Sequence, residues 1–257
     1  MRISIIGSGN LAYHFMKMIA KSKMKLDYVC ARDVDGLRKL IKKHKAKSHD
    51  DIKTLPGTSD VYLVCVSDDA IKQVVDSLPK QIRKHKIIAH TSGNANINKV
   101  LIKAKNRGVL YPVQTFSKGM KMKYSDIPFC INGNSKLVIT CLTAIGASIS
   151  TLTYLIDENQ RRHIHLAAVL TNNFVNHILN SAQVILEREN IDSEILLPLL
   201  KETVRKMTIV GSHKAQTGPA RRKDNETIND HLKLLNKSDA KLYQLISDRI
   251  FNKYNLK

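Results

Sequence analysis

Short apolar runs set the rhythm of the first half of the chain. RISIIG, LDYVCAR, DVYLVCV and KIIAHTS are rich in Ile, Val and Leu. Runs of this length read as strands buried on both faces. Between them, apolar residues recur every three or four positions, the mark of an amphipathic helix. That spacing predicts helices over Leu11 to Ser22, Val34 to His44, DDAIKQVVDSLP and Ile97 to Asn106. Asp68 and Asp69 favour the start of the third by complementing the helix dipole, and Pro79 marks its end. GVLYPVQTF and PFCING are shorter strand candidates, SKLVITCLTAIGAS a helix and STLTYLI a last strand. Such alternation predicts a mainly parallel sheet with helices on both faces.

Near Asp157 the pattern changes. ENQRRHIHLAAVLTNNFVNHILNSAQVILEREN is one long helical pattern, and DSEILLPLLKETVRKMTIV, DNETINDHLKLLN and SDAKLYQLISDRIFNKYN follow it. A turn-rich loop, GSHKAQTGPARRKDN, interrupts them. The expected architecture is α/β, a Rossmann-type doubly wound, mainly parallel sheet over residues 1–156, then an all-helical second domain over 157–257.

The turn after the first strand carries candidate chemistry. Gly7-Ser8-Gly9-Asn10-Leu11-Ala12 fits the G-x-G-x-x-G/A fingerprint between a strand and a helix. Gly7 permits the tight turn, Gly9 lets backbone approach a pyrophosphate, and Ala12 lets helix and strand pack closely. The helix start directs its N–H groups at the phosphates. Alone, such a hexamer is also what a plain strand-to-helix turn looks like. At the end of the second strand stands Arg32, able to pair with a 2′-phosphate and so favouring NADP. The other reading leaves Arg32 solvated and gives the ribose to Asp33. Backbone at Val66, Ser67, Ser92 and Gly93 ends the next strands, where a doubly wound sheet exposes its crevice.

The long helix after Asp157 carries His165, Asn172, Asn173, Asn176, His177 and Asn180, many on one stripe. Amides on a buried helix need a wet cleft or a partner. In the later loop, Arg222 either pairs with Asp224 or anchors a substrate carboxylate bidentately. The histidines lack carboxylates at ligand spacing, so no metal site is expected.

Charge adds one decision. Forty-two Lys and Arg against 22 acids give a net charge of +20. The cations are dispersed and no tryptophan interleaves them, which fits a solvated lysine-rich surface better than a nucleic-acid interface. Cys30, Cys65, Cys130 and Cys141 lack metal or redox spacing and read as free thiols in a reducing compartment. With neither a long apolar span nor a secretory leader pattern, the expectation is a cytoplasmic protein without a membrane partner.

Taken together, SIIGSGNLA, VSDDAI, HTSGN, YPVQTFSKG, IPFCI, RRHIHLAAVLTNNFVNH and QTGPARRKDNETINDHL resemble a bacterial family of predicted NADP oxidoreductases. In that family a Rossmann-like domain precedes a helical domain of unknown function, and the resemblance covers essentially the whole chain. The family is similar to pyrroline-5-carboxylate reductase, ketopantoate reductase and the 3-hydroxyacid dehydrogenases. The resemblance implies NADP as cofactor, a small-molecule substrate and a homodimer formed through the helical domain. Ketopantoate reductases and hydroxyacid dehydrogenases carry a lysine one turn before an asparagine on the first long helix. Here Ala168 and Val169 precede Asn172 and Asn173, so that proton donor is missing. His165 is the expected substitute, Asn173 its neighbour toward the cleft, and Arg222 the carboxylate anchor. Lys223 stands where many relatives carry a smaller residue. The expected function is NADPH-dependent reduction of a small carbonyl or imine, such as a 2-keto acid. A non-catalytic NADP-binding sensor or scaffold is the alternative.

Overall fold

The alternation of apolar runs and amphipathic stretches resolves into an ordered series in a computed structural model that describes residues 1–255. The series begins β1 (Arg2–Ile6), α1 (Asn10–Lys21), β2 (Lys25–Cys30), α2 (Arg38–Lys43), β3 (Lys47–His49), β4 (Val61–Val64) and α3 (Ile71–Ser77). It continues with α4 (Lys80–His85), β5 (Ile87–His90), α5 (Ile97–Val100), β6 (Asn106–Pro112), β7 (Phe129–Gly133), α6 (Lys136–Ile149), β8 (Thr153–Leu155) and α7 (Glu158–Ala168). The chain divides into two compact units, Met1–Asn172 and Asn173–Lys257.

The first unit holds one eight-stranded sheet in the order β3-β2-β1-β4-β5-β6-β7-β8. All neighbours are parallel except β6 and β7, which run antiparallel. The fold is thus the expected doubly wound, mainly parallel sheet. Alternate side chains of the central strands feed two cores. Ile3, Ile5 and Leu63 pack with Phe15, Met16 and Ile19 of α1 and Leu142 and Ile145 of α6. Ile6, Tyr62 and Val64 pack on the other face with Ile71 and Val75 of α3 and Ile82 of α4. Burying each such side chain contributes about 1.5–3 kcal/mol. Because β1 lies between β2 and β4, the direction of strand addition reverses there, which opens a crevice beyond their C-terminal ends.

Two local expectations are corrected. The helix expected over Ile97 to Asn106 is a single turn, α5, and Asn106 and Arg107 already pair with Ile87 and Ile88. Ladder bonds to β5 outweigh a helical spacing that offers only one apolar face. The strand candidate GVLYPVQTF ends at Pro112. The polar edge strand β3 and the short helix α4 carry too weak a pattern to be read from sequence.

The long helical pattern is also divided. After α7 the backbone takes a π-helical stretch, Val169–Phe174, and resumes as α8 (Val175–Arg188). The second unit then adds α9 (Leu197–Val210), α10 (Ser212–Ala215), α11 (Pro219–Arg222), α12 (Asn225–Leu234) and α13 (Lys237–Asn255). Lys223 caps α11 in the left-handed region, φ 63°, which explains why a smaller residue suits that position. Asp224 caps α12 by accepting from the Thr227 N–H at 3.1 Å. No residue of α8 or α9 is buried, and Ile195, Leu199, Ile209 and Leu234 are well exposed. No helix among the described residues is long and apolar enough to cross a membrane.

Candidate functional site

The chain turns sharply at Gly7, whose φ is +122°. A methyl group there would lie 2.4 Å from the Cys65 carbonyl oxygen, so only glycine fits between β1 and β4. Gly9 differs. It caps α1 without a side-chain hydrogen bond, and a methyl group added to it would meet nothing within 4 Å. The backbone is bare there and open space lies above it. The first N–H groups of α1 are free of any cap, as an anion cradle requires. Ala12 is fully buried beneath, and Leu11 packs against the core.

That space is part of a cleft of about 830 Å³ at the ends of β1, β2 and β4, lined by Gly7, Ser8, Gly9, Arg32, Val66 and Ser67, among others. Its size suits a cofactor. Arg32 is exposed and has no carboxylate partner among the described residues. The Asp33 carboxylate instead accepts from the Asp35 N–H at 2.8 Å. Asn10 accepts from the Lys118 N–H at 3.3 Å. Of the expected residues, Gly7, Ser8, Gly9, Arg32, Val66 and Ser67 therefore line one crevice, while Leu11 and Ala12 belong to the core; bare backbone beside the Arg32 guanidinium fits a dinucleotide.

Ser92 and Gly93 take part in a second arrangement, against α7. Arg161 is fully buried and donates to the Ser92 carbonyl at 2.9 Å and the Ala95 carbonyl at 2.7 Å. Ser92 Oγ donates to Asp68 at 2.7 Å, so the loops after β4 and β5 are tied together, and Arg161 ties the β5 loop to α7. Glu158 adds a contact with Asn96. One helical turn beyond Arg161, His165 Nδ1 lies 3.2 Å from the Tyr111 hydroxyl, with the rings edge to face at 5.8 Å. Gly93 makes room for both: a methyl group on it would sit 2.6 Å from the His165 ring and 2.8 Å from Tyr111 Cζ.

Electrostatics sort these groups. Burial pushes the Tyr111 phenol up to about 12, so it keeps its proton at neutral pH. Burial, helped by the Arg161 charge, brings His90 down to about 3, so this imidazole stays neutral beside the guanidinium. Its Nδ1 accepts from the Ser92 N–H at 3.1 Å, which stiffens the same loop. Sequence reading selected His165 but missed Tyr111, Arg161 and Asp68. The motif strings HTSGN and YPVQTFSKG contained part of that signal.

Asn173 is exposed in the π-helical stretch, as is Asn172, and Asn176, His177 and Asn180 are exposed on α8. Arg222 is exposed at the end of α11, with Asp224 a loose 3.7 Å away. Among these, only Asn172 shares the first unit with His165.

Residues 2–93 match the family model described as NADP oxidoreductase coenzyme F420-dependent, and residues 127–250 match a domain of unknown function, DUF2520. Among solved structures, the candidate NADP oxidoreductase BF3122 from Bacteroides fragilis is 32% identical, with a TM-score of 0.88 over 98% of both chains. An imine reductase from Myxococcus stipitatus in complex with NADP+ is 16% identical, with a TM-score of 0.69 over 98% of this chain and 92% of its own. A 1-pyrroline-5-carboxylate reductase from Streptococcus pyogenes is 14% identical, with a TM-score of 0.62 over 99% and 98%. These last two share the fold. No curated protein matches the chain.

Proposed function

This chain belongs to the family of NADP oxidoreductases that join a Rossmann-type domain to a helical domain of unknown function, and from that premise we propose that it is an NADPH-dependent reductase of a small carbonyl or imine. The preferred substrate class is a carboxylate resembling a 2-keto acid. The observation that carries the reading is the bare backbone at Gly9 facing a cleft of about 830 Å³. In this reading Gly7 to Ala12 hold the pyrophosphate, Arg32 takes the 2′-phosphate, and Val66, Ser67, Ser92 and Gly93 give backbone toward the rest of the cofactor. Bound NADPH supplies the hydride.

The protein supplies the proton. In the imidazolium form of His165, Nδ1–H donates to the Tyr111 hydroxyl across 3.2 Å, and Nε2–H gives its proton to the substrate oxygen or nitrogen as the carbon is reduced, leaving a neutral imidazole. Arg161 sets the helix against the loop under His165 and so fixes where that ring stands. The exposed apolar side chains of α8 and α9 support pairing with a second copy through the helical unit. Sedimentation should therefore report a dimer; a monomer at micromolar concentration would refute that part.

The test is a panel of 2-keto acids and cyclic imines incubated with NADPH while cofactor oxidation is followed. Turnover with a member of either class is expected. In His165→Ala, NADPH binding should persist and turnover should fall roughly a hundredfold or more. No oxidation with any substrate, or undiminished turnover in the variant, would overturn the reading.

A further inference from the structure

After β6 the chain runs through Gln114 to Lys123 and crosses the start of α1. A buried histidine pins it there. His14 is fully buried, with Nε2 2.9 Å from the Ser117 carbonyl oxygen and Nδ1 3.0 Å from the Tyr124 hydroxyl. A carbonyl only accepts, so Nε2 carries the hydrogen and Nδ1 accepts from Tyr124. The Phe116 ring rests 5.2 Å from the imidazole. Lys118, which follows Ser117, donates its N–H to Asn10 of the glycine loop at 3.3 Å.

The Lys118 side chain then reaches the turn between β2 and α2. Its Nζ lies 3.3 Å from where a methyl group on Gly36 would be, and Gly36 is four residues past Arg32. The acids of that turn are engaged: Asp33 caps the Asp35 N–H at 2.8 Å, and Asp35 pairs with Arg38 at 2.8 Å. Lys118 and Arg32 have no carboxylate partner among the described residues. Two cations brought to one turn repel each other unless an anion joins them.

We propose that Lys118 is a second cation for the 2′-phosphate of NADPH, carried to the Arg32 turn by the segment that His14 holds down. This rests on the cofactor reading above and deepens it. A phosphate monoester carries close to two negative charges and has three acceptor oxygens, so a guanidinium and an ammonium together match it. Lys118 is then a determinant of the choice between phosphorylated and unphosphorylated cofactor.

Fluorescence titration of the full chain with NADPH and with NADH tests this without any substrate. Lys118→Gln should weaken NADPH binding about tenfold and leave NADH binding unchanged, while Lys118→Arg restores NADPH affinity. The Lys118→Gln penalty should shrink as salt is raised. Unchanged NADPH affinity in Lys118→Gln, or equal loss for both nucleotides, would overturn the proposal while the cofactor reading stands. A wild-type chain that bound neither nucleotide would instead overturn the cofactor reading itself.

Discussion

Replacing Gly93 by alanine puts a methyl group into space that His165 and Tyr111 already occupy. On the existing backbone that carbon lies 2.6 Å from His165 Cγ and Nδ1 and 2.8 Å from Tyr111 Cζ. Carbon atoms settle at about 3.5–4.0 Å, so a ring must retreat by roughly 1 Å. Tyr111 stands on β6, in register with Cys130 of β7 and mostly buried, and has little room. His165, half-buried on α7, is the ring that yields. Its 3.2 Å hydrogen bond to Tyr111 then opens. Misplacing a reacting group by about 1 Å costs on the order of a hundredfold in rate, and overpacking costs about 1–3 kcal/mol of stability. The assay is kcat/KM for NADPH-driven reduction, beside an NADPH titration and a denaturant melt. Turnover should fall by about that factor, well beyond any loss of NADPH affinity. In a His165→Ala background the same change should do far less, since the ring it strikes is gone. Wild-type turnover in Gly93→Ala, or equal losses in both backgrounds, would refute the reasoning.

The two glycines of the loop should separate stability from binding. Gly7→Ala meets the Cys65 carbonyl at 2.4 Å and should unfold at clearly lower denaturant, whereas Gly9→Ala meets nothing, should keep its stability and should lose NADPH affinity. Lys223→Gly should raise stability by about 1 kcal/mol, because glycine adopts the φ of 63° without the Cβ penalty; a melt showing a loss would refute this. For Asp27, burial pushes the carboxyl up, but hydrogen bonds from Thr58, Arg2 and Ser59 outweigh it and hold it below the usual range. Its contribution is therefore complete above the unfolded carboxylate pKa of about 3.9 and is lost as pH falls through the lower folded value. Asp27→Asn should be less stable at neutral pH and show a shallower acid limb, measured by melts across pH.

How much of the site was legible depended on how local its physics is. Gly7, Gly9 and Ala12 were readable because a tight turn, a bare approach and a close helix contact each fall on consecutive residues. Arg32 follows from its place at a strand end. His165 was chosen through a missing lysine, but nothing near it in sequence pointed to its partner Tyr111, 54 residues earlier. Arg161 looked like one more surface cation among 42; its burial depends on carbonyls more than 60 residues away. Lys118 meets Asn10 across 108 residues.

Hydrophobic spacing along the chain by itself determined the alternating sheet and the later helices, since burial of apolar runs and faces is a local demand repeated at each element. Spacing also placed the glycine turn between a strand and a helix. Only the tertiary structure decided that the order of strands reverses at β1, that the helical pattern breaks at Val169–Phe174, and which polar side chains meet. Hydrogen bonds and charges act over a few ångströms in space. Their partners are therefore chosen by packing, and a linear pattern holds no record of them.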